Sequence, residues 1–267
     1  MGAHRAGAGW SGRLIRLAAG LAAACALPAG PPEASAQLPI DVEAGVSREV
    51  LSGDREPWEE YWLRATLRPS PGAFVYGGYR HTRRFGEDDQ QIEGGAGFPL
   101  AERWSARIDG TWSGTHRVVP RWGASGSVSY RLAPGWTLSG GGGRQVWETA
   151  AVNHQQAGID RRFDRISLGY RLRLHQVDPG GSGIRHGVSG SWAYDARGSS
   201  LTASLGVGQE ATIVGLDDVR STTEQSARLS GTHWIDDRTG IAYTFGVHRH
   251  GPFFTRSMSS VGIRRRF

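Results

Sequence analysis

The sequence predicts an all-β fold: a transmembrane antiparallel up-and-down β-barrel of about 14 strands, with 12 or 16 as the alternatives. Three observations lead there. Period-two segments about ten residues long recur along the chain, the length a tilted strand needs to cross the hydrocarbon layer. After Leu27 no window approaches 18 uninterrupted apolar residues, so no downstream segment reads as a spanning helix. The final stretch from Ser257 to Phe267 alternates and ends on an aromatic, as bacterial outer-membrane barrels do, so Val261, Ile263 and Phe267 are expected to form an assembly signal.

The elements follow in chain order. Arg5, Arg13 and Arg16 precede a small apolar run from Leu17 to Leu27; Pro28, Gly30, Pro31 and Pro32 then break any helix before Ala34-Ser35-Ala36, a small-x-small cleavage pattern. This reads as a secretory signal peptide over 1–36, removed to leave an outer-membrane barrel domain over 37–267. The apolar run is shorter than the roughly 20 residues a membrane anchor needs. Cys25 has Ala22 where a lipid-modified cysteine usually has a bulky aliphatic residue, which argues against lipidation. With Cys25 in the signal, the mature chain has no cysteine and is expected to rest on hydrogen bonds and burial alone.

Composition supports strands over helices or disorder. Glycine contributes 40 of 267 residues, a content helices tolerate badly, while 10 Trp recur through a chain too aromatic for a disordered segment. Arg supplies all 31 basic residues, and loss of three Arg and one Glu with the signal lowers the charge from +6 to a mildly basic +4. No folded module or basic run supports nucleic-acid binding.

The alternation is sharpest between Arg165 and His175, where Ile166, Leu168, Tyr170, Leu172 and Leu174 oppose Ser167, Gly169, Arg171 and Arg173. Strands are expected near 41–51, 58–68, 73–84, 89–98, 104–113, 121–131, 136–147, 153–161, 165–175, 184–194, 200–208, 225–235, 240–249 and 257–267. Lipid offers no water to free backbone groups, so crossing strands must close on themselves. With both termini in the periplasm, alternate connections should be tight there, and 69–72, 99–103, 132–135, 162–164, 195–199 and 236–239 are short and turn-rich. The other set holds the longest expected loops, 209–224 and 176–183. Trp58, Trp104, Trp112, Trp122, Trp136, Trp147, Tyr194 and Trp234 lie near strand ends, as an interfacial belt requires.

Parity places Arg64, Arg68, Arg107, Arg131, Arg171, Arg173, Arg185 and Arg228 on the inner face, together with Glu43, Glu93, Asp109 and Asp160. A wall of about 14 strands leaves a narrow lumen, and guanidinium groups lining it can grip carboxylate, sulfate or phosphate through paired hydrogen bonds. Two readings stay open: a pathway for anionic solutes or acidic polysaccharide, and a lumen closed by Arg–carboxylate pairs in a structural or docking barrel whose loops bind a partner. A lipid-modifying enzyme is the weaker third. His116, His154, His233 and His248 with Glu148 are the candidates for it, yet no G-x-S-x-G nucleophile motif occurs, so no catalytic residue and no enzyme activity are expected. His248-Arg249-His250 puts two imidazoles on one strand face, a weak metal pair, and neither a metal site nor a cofactor is expected.

Trp58-Glu59-Glu60-Tyr61-Trp62, Tyr76-Gly77-Gly78-Tyr79-Arg80 running into Arg83-Arg84-Phe85-Gly86, and the closing Gly262-Ile263-Arg264-Arg265-Arg266-Phe267 resemble the YaiO family of outer-membrane β-barrels. The resemblance covers essentially 37–267 and implies a single barrel in the outer membrane of a Gram-negative bacterium, inserted by the barrel-assembly machinery. It also implies contact with outer-membrane lipid and lipopolysaccharide, and in some relatives an association with exopolysaccharide secretion components. It supplies no activity. One departure is Arg265, at a position where the general C-terminal signal often places an aromatic.

Overall fold

The computed structural model describes residues 39–53, 55–216 and 218–267, so the expected signal peptide over 1–36 lies outside the described residues. Fourteen strands run in chain order: β1 Ile40–Leu51, β2 Trp58–Ser70, β3 Ala73–Arg84, β4 Glu87–Ala101, β5 Trp104–Ser113, β6 Trp122–Ala133, β7 Trp136–Val146, β8 Ala151–Phe163, β9 Ile166–Asp178, β10 Ser182–Ala193, β11 Ser200–Gly215, β12 Asp218–Trp234, β13 Thr239–His250 and β14 Phe254–Arg266. Each pairs antiparallel with its sequence neighbours, and β1 pairs with β14 to close the barrel. Closure satisfies the ladder on both sides of every strand, which is what lets a sheet cross lipid.

The side-chain period of two then sorts residues. On one face Leu63, Val75, Ile92, Ile108, Leu168, Tyr170, Leu205 and Phe245 are exposed apolar side chains. On the other, side chains meet across an intervening strand: Arg64 on β2 reaches Glu93 on β4 at 2.5 Å, and Arg185 on β10 reaches Glu224 on β12 at 3.1 Å. Such spans form on the concave side, which identifies the polar face as the lumen and the apolar face as the wall that meets lipid.

The two rims differ. At the rim where β1 begins and β14 ends the turns are tight. Gly72 and Gly135 take φ of 81° and 77° after Pro71 and Pro134, the left-handed geometry a proline–glycine turn requires. At the distal rim the expected long loops are replaced by strand. β11 continues to Gly215 and β12 starts at Asp218, so the expected loop 209–224 is a hairpin; β9 and β10 likewise absorb most of 176–183. The cause is alternation that continues past the bilayer, with Thr212 and Thr222 meeting at 3.1 Å inside the hairpin.

The aromatic belt also needs correction. Trp104, Trp112 and Trp122 stand exposed on the outer face, and Tyr194 stacks there on His233 with Trp192 tilted against it. Trp136 lies under the Arg161 guanidinium. Trp58 and Trp234, by contrast, are each 2% exposed on lumen parity, and Trp147 packs into the distal core. Trp58 shares the parity of Arg64, and Trp234 that of Arg228, so their rings follow the inner face.

Candidate functional site: the arginine-lined lumen

All eight arginines expected inside lie on the lumen face, most of them against a carboxylate. Glu93 accepts from Arg64 and, at 3.1 Å, from Arg80, whose other nitrogen reaches Glu60 at 3.4 Å. Arg107 holds Asp109 at 2.8 Å, and the Tyr76 hydroxyl donates to the same carboxylate at 2.7 Å. Arg68 pairs with Asp41, which also receives Arg264 at 3.0 Å and Arg266 at 3.6 Å. Arg171 stands 3.8 Å from Asp160, and Glu43 accepts from the Trp62 indole at 3.4 Å. Arg131 sits at the terminal rim beside Ser129 and Glu102, and neither it nor Arg228 joins an ion pair among the described residues. Val261, Ile263 and Phe267 of the expected assembly signal share the outer face, each about half exposed.

The densest charge lies on the β9–β14 wall. Arg173 and Arg185 approach Glu210 at 3.6 and 3.5 Å, and Arg185 also donates to Ser226 at 2.9 Å. Glu224 takes Arg185 on one side and the His248 ring at 3.3 Å on the other. Together with Arg171, Arg228 and Arg256 these groups line a cavity of about 430 Å³. Five guanidinium groups and two glutamates line it, and two of those arginines also reach carboxylates just outside, Arg171 to Asp160 at 3.8 Å and Arg256 to Glu49 at 3.1 Å. Glu210, Glu224 and Arg256 are functional neighbours the sequence reading missed, and His248, singled out there for catalysis or metal binding, instead joins this ion-pair cluster. Continuing the Gly206, Gly208 parity one step would have put Glu210 inside.

The histidines singled out for chemistry do not converge. His116 meets Glu148 at 2.8 Å, His233 faces outward against Tyr194 at 2.9 Å, and His154 lies on lumen parity of β8. His248 and His250 stack with centroids 6.0 Å apart, and among the described residues no group of three or more His, Cys, Asp or Glu is placed to hold a metal.

Above the cavity the distal mouth is covered by apolar side chains. The connection between β5 and β6 turns inward so that Val118 and Val119 are buried with Leu51, Trp58, Ile213 and Phe254. Asp89, 1% exposed, holds that turn: one oxygen accepts the backbone N–H groups of Val118 at 2.5 Å and Val119 at 3.0 Å. The β11–β12 hairpin leans in from the other side, where Ser221 meets His175 at 2.9 Å and Val219 packs on Val152 and Val177.

A family model described as the YaiO membrane β-barrel domain matches residues 41–212. The chain belongs to that family. The comparison with curated proteins gives no match. Among solved structures, this YaiO-family barrel resembles the CymD monoaromatic hydrocarbon channel at 12% identity and a TM-score of 0.56, covering 86% of this chain and 88% of that one. It also resembles a bacterial polysaccharide outer membrane secretin at 11% identity and a TM-score of 0.54, covering 86% and 98%. These likenesses concern the fold. They agree with the family match in making the chain an outer-membrane β-barrel.

Proposed function

We propose that the barrel is a non-enzymatic, narrow pathway for anionic solutes or acidic polysaccharide, with its terminal rim toward the periplasm. The observation that carries this reading is the cluster of five guanidinium groups around the β9–β14 cavity, where Arg173 and Arg185 share Glu210 and, among the described residues, Arg228 joins no ion pair. An anion entering there replaces lost hydration with charge-assisted, bidentate hydrogen bonds, at a site whose field excludes cations. The partners implied are outer-membrane lipid and lipopolysaccharide around the wall, the assembly machinery at the closing strand, and exopolysaccharide secretion components. The test is the reversal potential of the barrel in planar bilayers under a potassium chloride gradient. Chloride preference is expected, reduced in Arg173→Ala/Arg185→Ala/Arg228→Ala. Cation preference, or selectivity indifferent to all three arginines, overturns the reading.

The second reading, a closed barrel that docks a partner, is favoured by the apolar cover over the distal mouth. It predicts no conductance even after that cover is loosened.

A further inference from the structure

Below the arginine cavity the lumen wall changes chemistry. Ser260 on β14, Thr244 on β13, Ser230 on β12 and Thr202 on β11 line a separate recess of about 270 Å³ with Glu43 and Trp62. It holds hydroxyls, one carboxylate and one indole.

Trp62 reaches that recess because of two glycines. Gly45 and Gly262 face each other in the β1–β14 register, and a Cβ on Gly45 would stand 2.3 Å from the indole Cζ2, one on Gly262 3.3 Å. The ring therefore lies along bare backbone, crossing from β2 over the seam toward the hydroxyl-bearing strands. Other lumen aromatics are capped: Arg84 and Arg256 lie over Trp58, Arg264 and Arg266 over Trp234, and Arg64 over Tyr76. Among the described residues no guanidinium or aromatic ring stacks on Trp62. Its outer face remains open to the lumen.

The recess adjoins the arginine cavity along two strands. Ser230 and Arg228 stand two residues apart on the same face of β12, as do Thr202 and Ser204 on β11, so one pair member lines each chamber. Two residues along a strand span about 7 Å. A ligand whose ring occupies the recess can therefore extend a carboxylate to the Arg228 guanidinium, which joins no ion pair among the described residues.

We infer that Trp62, the Ser/Thr wall and Arg228 form a subsite for a uronic acid residue, the pyranose face stacked on the indole, its hydroxyls on the Ser/Thr wall and Glu43, and its carboxylate on Arg228. The inference deepens the proposed pathway by naming its ligand class, and it rests on solutes entering the lumen. Simple anions use Arg228 alone; only a sugar acid uses both chambers.

The experiment is titration calorimetry of the full barrel refolded in detergent, with D-glucuronate and acetate as probes. Glucuronate is expected to bind more tightly than acetate. Trp62→Ala should weaken glucuronate about tenfold, the range of one aromatic contact, and leave acetate unchanged. Trp62→Phe should recover most of the loss, and Arg228→Ala should weaken both probes. Thr202→Val/Ser230→Ala, on the opposite side of the recess, repeats the test should Trp62→Ala fail to fold. Equal affinities for the two probes, or glucuronate binding indifferent to both the Trp62 and the Thr202/Ser230 variants, overturn the subsite. If chloride preference in bilayers persists in that case, the pathway reading survives without it; Trp62-dependent glucuronate binding in a barrel lacking anion preference supports the subsite and removes the pathway.

Discussion

Asp89→Ala should open the distal mouth without unfolding the barrel. In the structure one buried carboxylate oxygen receives both the Val118 and Val119 N–H groups. Hydrogen bonds to a charged acceptor contribute about 1.5 to 3 kcal/mol each, so the pair supplies about 3 to 6 kcal/mol. Burial of the two valines adds roughly 3 to 6 kcal/mol more. Against these stands the ordering of the residues between Ser113 and Trp122, about eight positions at 1 to 2 kcal/mol apiece. Gain and cost are of the same size, so deleting the carboxylate tips the turn toward release, while the strand ladder of β4 stays paired through Thr82. The assays are single-channel conductance and limited trypsin digestion, since Arg117 lies within the turn. The variant should conduct more and be cut after Arg117, with wild-type heat-modifiability. A folded variant with wild-type conductance and an uncut turn refutes the reasoning. Asp89→Asn should give a smaller change, because the amide oxygen still accepts.

Leu172 lies at the seventh of the thirteen positions of β9, facing outward, and Leu172→Arg should cost about 2 to 4 kcal/mol on insertion, read as lost folding into vesicles; Arg171→Ala/Arg173→Ala should fold normally, and the reverse pattern would show the faces inverted. Deleting Phe267 should lower the amount of heat-modifiable barrel in outer membranes far more than the roughly 3 to 5 kcal/mol of a truncated core Phe explains; unchanged amounts would exclude an assembly role. In the turn after β12, backbone N–H groups of Arg238 and Thr239 hold the Asp236 carboxyl below its ordinary value. Its contribution should be present above about pH 4 and fade as pH falls through the lowered folded value, and amide exchange at Arg238 measured against pH should show this in wild type but not in Asp236→Ala.

Much of this architecture could be read from alternation alone, because lipid on one side and water on the other leave each strand residue only two environments. The inward arginines followed directly: Arg171 and Arg173 interleave with Tyr170 and Leu172, and no other arrangement hides four polar and apolar groups from the wrong solvent. Trp58 and Trp234 follow parity rather than position: both lie near strand ends, where a headgroup belt would sit, but share the parity of nearby arginines and so turn into the lumen. The distal cover was not legible, since Val118 is held by Asp89 nearly thirty residues earlier, a contact that exists only once β3 to β6 are side by side. Glu210 and Glu224 were hidden by a different effect: polar alternation beyond the bilayer reads as a loop until hydrogen-bonded pairing makes it a hairpin.

The closing seam has a chemical polarity of its own. β1 contributes Asp41 and Glu49, and β14 answers with Arg264, Arg266 and Arg256, at 3.0, 3.6 and 3.1 Å. Before closure both strands are open edges, able to add onto any passing strand. A shift of the seam by two residues would preserve the inside–outside pattern and so escape correction by lipid, but it would pull Asp41 and Glu49 from their guanidinium partners. Electrostatics thus supplies what hydrophobicity cannot: a lock and key between the first strand and the last, by which the barrel distinguishes its own end from every other.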